Sequence, residues 1–97
     1  MIDPRAEAVA EVLARLPLGA FRGRSLGRDW LVVRSVFAGG ASEKLVARGL
    51  DGTGYVSLNL YRLAAGARLK PCEMPAETVA RFVADLEVAG ADPAPDQ

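Results

Sequence analysis

Histidine is absent from the 97 residues, which removes the commonest general base and the commonest transition-metal ligand. Cysteine occurs once, at Cys72. One thiol cannot close a disulfide within the chain, nor build a structural zinc site or an iron–sulfur cluster. No apolar run approaches the ~20 residues of a membrane-spanning helix. The start, Met1-Ile2-Asp3-Pro4-Arg5-Ala6-Glu7, has no basic segment followed by an apolar one, so it does not read as a signal peptide. The expectation is a soluble cytoplasmic chain without a membrane partner. The glycines sit in separated turns and match neither G-x-G-x-x-G nor G-x-x-x-x-G-K-[ST], and the acidic residues are too scattered for a calcium loop. No cofactor and no metal site is expected, and these absences weigh against an enzyme.

Net charge is zero, but it is unevenly spread. Residues 20–48 carry Arg22, Arg24, Arg28, Arg34, Lys44 and Arg48 against Asp29 and Glu43, a net of +4. Both flanks are acidic. A neutral chain is a poor general binder of nucleic acid, so that partner class ranks below protein. The bias towards arginine over lysine, together with abundant alanine, reads as genomic base composition.

Asp3-Pro4 pairs an N-cap acceptor with proline at the first helical position, and Ala6, Val9, Ala10, Leu13 and Leu16 recur at helical spacing. The spacing predicts a helix over residues 4–16, stopped by Pro17. A two-residue period then runs through residues 20–24, 30–37, 55–63 and 68–70, each read as a strand. Residues 42–50 are compatible with a capped helix or a strand; the hairpin-like Asp51-Gly52-Thr53-Gly54 that follows favours the strand. Residues 30–37 are apolar on both faces, which predicts a central strand covered on both sides.

Val79, Phe82, Val83 and Leu86 mark a second helix over residues 75–89. Met74 falls at its N-cap and Gly90 beyond its end, with Glu77–Arg81 and Arg81–Asp85 pairs on its outer side. Residues 91–97, polar and broken by Pro93 and Pro95, read as a disordered tail. The expected fold is a single α+β domain over residues 1–90. It is an antiparallel meander of four or five strands, with the N-terminal and C-terminal helices packed on one face. The expected core is Val9, Leu13, Leu16, Phe21, Leu31, Val33, Val56, Leu58, Leu60, Val79, Phe82 and Leu86.

Two features carry chemistry. Cys72 lies between Pro71 and Pro75 ahead of the second helix, where a helix N-terminus and Lys70 would favour a thiolate. Free cysteines are nonetheless commonly buried packing residues, and neither a histidine nor a second cysteine is present to activate or resolve this one. The row Tyr55, Ser57, Asn59, Tyr61 should point away from the helices beside strands bearing Arg22, Arg24 and Arg34. Tyrosine and arginine are enriched at the centres of protein interfaces, and on a sheet face they also stack bases. The leading expectation is a non-enzymatic interaction or self-associating domain using Tyr55, Asn59, Tyr61, Arg22 and Arg34. A thiol-dependent redox enzyme or sensor using Cys72 with Lys70 is the first alternative, and a single-stranded nucleic-acid binder the second. A small-molecule ligand is not specified by any motif.

Overall fold

The computed structural model describes residues 2–89. Helix α1 (Pro4–Ala14) starts where Asp3 Oδ1 accepts a hydrogen bond from Arg5 N at 3.0 Å. It buries Ala6, Val9, Ala10 and Leu13. It ends two residues earlier than the spacing predicts, and Leu16 still packs into the core from beyond the helix. Strands β1 (Gly19–Ser25) and β2 (Arg28–Phe37) follow. They are joined by Leu26-Gly27, both with positive φ, as a two-residue hairpin turn of matching twist requires. A short 3-10 turn (Ala38–Gly40) leads into β3 (Ser42–Gly49), then β4 (Tyr55–Leu63) and β5 (Gly66–Pro71). Helix α2 (Ala76–Asp85) and a two-residue β6 (Glu87–Val88) complete the order.

The sheet is antiparallel throughout, in the order β5-β4-β3-β2-β1-β6. Five strands form the expected meander, and β6 adds a sixth beside β1. Both helices lie on one face. There Phe21, Trp30, Val32, Leu45, Ala47, Val56, Leu58 and Leu60 pack against Val9, Leu13, Val79, Phe82 and Val83. Trp30 meets Phe82 edge-on at 4.9 Å between ring centroids, a favourable aromatic geometry.

Other sequence expectations change, beginning with the phase of β2. In β2 the inward residues are Trp30 and Val32, whereas Leu31 and Val33 point outwards and are 40% and 37% exposed. The pairing decides this: Val32 lies opposite Phe21 and Ala47, which lies opposite Val56. So β2 is an interior strand of the sheet but is covered by helices on one side only.

Helix α2 also differs, stopping at Asp85 rather than near residue 89. Leu86 turns extended and drops its side chain into the core. The space it takes lies over Gly23, where any Cβ would stand 2.8 Å from Leu86 Cδ1. The helix end is also tied to the β1–β2 hairpin. Ser25 Oγ donates to Phe82 O at 2.7 Å, and Asp85 Oδ2 accepts from Leu26 N at 2.6 Å. Asp85 is therefore engaged there and does not pair with Arg81, whose carboxylate neighbour is Glu77 at 3.7 Å. The N-cap is Pro75, one residue after Met74, and it supplies no side-chain acceptor. Gly90 and the tail at residues 91–97 lie outside the described residues.

Candidate functional site

Directly opposed residues of an antiparallel pair project to the same side, so the register fixes what the uncovered face displays. Its middle row is Ala20–Val33–Val46–Ser57. Beside it runs Arg22–Leu31–Arg48–Tyr55. On the other side lie Ser35–Lys44–Asn59–Lys70 and then Phe37–Ser42–Tyr61–Arg68. At the far end Arg24 is opposite Asp29 and Glu87.

The result is an apolar band inside a cationic frame. Leu31, Val33, Phe37 and Tyr55 are exposed and Val46 is half-buried. Around them stand Arg22, Arg24, Lys44, Arg48, Arg68 and Lys70, against the carboxylates of Asp29 and Glu87. Arg24 pairs with Asp29 at 2.9 Å, and the Arg48 guanidinium lies 5.1 Å from the centre of the Tyr55 ring. On this side of the sheet, without helices, exposed apolar side chains and an excess of positive charge therefore stand together.

Tyr55, Asn59, Tyr61, Arg22 and Lys70 thus share this face. Arg34 does not join them. It lies at the inward parity of β2 and binds Glu43, whose side chain is 1% exposed. Arg34 Nε reaches Glu43 Oε1 at 2.7 Å, and Arg62 contacts the other carboxylate oxygen. Burial pushes the Glu43 carboxyl up, but the hydrogen bonds and charges of Arg34 and Arg62 outweigh it and hold the group below the usual carboxylate range. The same arginines reach α1 and the turn after it: Arg62 donates to Ala10 O in the helix at 3.2 Å and Arg34 to Leu16 O just beyond it at 2.6 Å. This trio clamps α1 to the sheet and is saturated by its own partners.

Sequence reasoning missed the clamp. Its signal was a glutamate at the same parity as Leu45 and Ala47, since a charge at an inward strand position needs a partner. A second unforeseen arrangement closes the β3–β4 loop. Arg28 donates to Asp51 Oδ1, Thr53 O and Thr53 Oγ1, and stacks 4.7 Å from the Trp30 ring. The Thr53 N–H and hydroxyl, with Arg28, hold the Asp51 carboxyl below its usual range. A Cβ at Gly49 would stand 1.8 Å from Thr53 O, so only glycine fits there. Both arrangements serve structure.

Cys72 is half-buried just past β5. Its N–H donates to Ser57 O at 3.0 Å, and Asn59 Nδ2 lies 3.9 Å from its sulfur. Helix α2 begins four residues further on, so Cys72 belongs to the end of the sheet rather than to the helix start. Between the helices runs a groove of about 370 Å³ lined by Ala8, Val12, Ala80 and Ala84, with Arg5, Glu77 and Arg81 at its polar rim. It gathers no set of groups suited to catalysis. Among the described residues, no cluster of three potential ligands could hold a metal ion, and no helix is long and apolar enough to cross a membrane.

These features define a two-layer α+β domain: a six-stranded antiparallel sheet, five strands of it a meander, with two helices on one face and an open, cation-framed second face. Compared with known proteins, the chain matches no family, no curated protein and no solved structure.

Proposed function

We propose that this chain is a non-enzymatic interaction domain that receives an acidic protein surface on the open face of its sheet. The observation carrying this reading is the apolar band of Leu31, Val33, Val46 and Tyr55, left without a covering layer and framed by six cations against two carboxylates. Apolar surface of this kind gains by being buried, and the frame selects a partner of opposite charge. Face-to-face pairing of two copies would set like-charged frames against each other, which favours a different protein over self-association. At β5 the sheet edge is partly closed to strand addition. There the Glu7 carboxylate takes the Ala67 N–H at 2.5 Å, and Pro71 has no N–H to offer.

A photo-crosslinking residue at Val33, with a control at Ala84 on the helix side, tests this in cells producing the full chain. The expected product is specific to Val33 and joins the chain to a protein through an acidic surface. Reconstituted with that protein, Val33→Asp should weaken binding at least tenfold, and added salt should weaken the wild-type complex. Crosslinks equally frequent from Ala84, a Val33 product that is nucleic acid, or a homodimer abolished by Val33→Asp would each overturn the proposal.

A further inference from the structure

Resting on that reading of the open face, we infer that one corner of it is an anion-recognition site for a phosphorylated side chain of the partner protein. Lys44, Asn59 and Lys70 are directly opposed across three adjacent strands, and Tyr61 and Arg68 are opposed two residues further along. Adjacent strands are about 4.8 Å apart and same-side neighbours along a strand about 7 Å apart, so the three cations stand within roughly 7–12 Å of one another at the backbone. Lysine and arginine side chains are long enough to converge from those positions over Asn59.

The other cations of the face are already engaged or differently placed: Arg24 is neutralised by Asp29 and Arg48 lies on Tyr55. Lys44, Arg68 and Lys70 make no ion pair among the described residues. Glu43, next to Lys44 in sequence, faces the other side of the sheet and is held by Arg34 and Arg62, and Glu73, three residues after Lys70, pairs with none of the three. Tyr61, Arg68 and Lys70, with Leu63, also line a shallow surface depression.

Three cations, an amide and a phenol sharing one corner of the face suit a tetrahedral dianion better than a carboxylate. A phosphate offers several acceptor oxygens in different directions, and its charge is doubled above about pH 6. The cations fill a corner next to an apolar band instead of tracking across the face, whereas a single nucleic-acid strand would follow a continuous basic groove. The geometry therefore favours a phosphorylated protein segment whose apolar neighbours lie on Val33 and Val46.

The test uses the full chain and a short peptide carrying one phosphoserine, followed by amide chemical shifts at constant ionic strength. Saturable changes should centre on Lys44, Asn59, Arg68 and Lys70. The unphosphorylated peptide and its glutamate counterpart should bind at least tenfold more weakly. Lys44→Gln with Lys70→Gln should reduce affinity at least tenfold while leaving the melting temperature unchanged; Arg22→Gln should not reduce it. Because the chain has no histidine, weakening between pH 7.5 and 5.5 would report loss of the second phosphate charge. Changes spread evenly over Arg22, Arg24 and Arg48, or unaltered binding by the double variant, would overturn the inference. So would a thymidine oligonucleotide that binds more tightly than the peptide and loses affinity on Tyr61→Ala. If the double variant still binds the protein captured through Val33 as tightly as wild type, this inference falls and the open-face reading stands. If Val33→Asp leaves that complex intact, the open-face reading itself falls.

Discussion

Replacing Glu43 with alanine removes the anion shared by two arginines, and the structure sets the size of the loss. The Glu43 side chain is 1% exposed, Arg34 is 12% exposed and Arg62 is 34% exposed. Glu43→Ala would leave the Arg34 guanidinium largely out of water with only Leu16 O as partner, while Arg62 could turn partly to solvent. Breaking a buried pair from one side costs about 3–5 kcal/mol, and the partial exposure of Arg62 argues for the lower end, about 3 kcal/mol. For a domain of this size that corresponds to a fall in Tm of roughly 12–24 °C.

Urea titration of both proteins at neutral pH measures the difference. The Glu43 carboxyl is held below its unfolded value, so its contribution is present above the ordinary carboxylate range and lost as pH falls through the folded value. The gap between wild type and variant should therefore close on acidification. A neutral-pH difference under about 0.5 kcal/mol, the size of an ordinary surface substitution, would refute the clamp. A gap that persists unchanged at pH 3 would refute its electrostatic origin.

Two further changes separate core from surface. Leu58 is fully buried, so Leu58→Ala should cost roughly 2–5 kcal/mol by denaturant titration; Tyr61→Ala, on the open face, should cost under about 1 kcal/mol. Gly23→Val should destabilise by about 1–3 kcal/mol, because Leu86 Cδ1 occupies the position beside the new side chain. Hydrogen exchange should then show loss of protection beginning at the C-terminal turn of α2.

The α+β class, the two helices and four of the strands could be read from period and caps, because β4 alternates cleanly and α1 has both a cap and a stripe; β3 fits a capped helix as well, and only the hairpin-like Asp51-Gly52-Thr53-Gly54 after it favours a strand. The same alternation in β4 placed Tyr55, Asn59 and Tyr61 on one face. The phase of β2 could not be read. Leu31 and Val33 are as apolar as Trp30 and Val32, and only cross-strand pairing with Phe21 and Ala47 says which pair is inside. That one phase error also moved Arg34 to the open face, since a one-residue shift exchanges every side chain between faces. The Glu43 clamp joins β2, β3, β4 and α1, so it required register that no local pattern carries. Leu86 continued the helical stripe of α2 in sequence; its extended conformation follows from the space over Gly23, a tertiary effect.

The central claim is that the face bearing Leu31 and Val33 is kept apolar for a partner rather than for the fold. Val33→Asp tests it most directly, with the melting temperature and the affinity for the partner captured through Val33 measured on the same preparation. Val33 is 37% exposed, so the account predicts a melting temperature within a few degrees of wild type. It predicts at the same time a loss of affinity of at least tenfold, about 1.4 kcal/mol. A Val33→Asp protein that unfolds, or one that folds and binds its partner as wild type does, would contradict it.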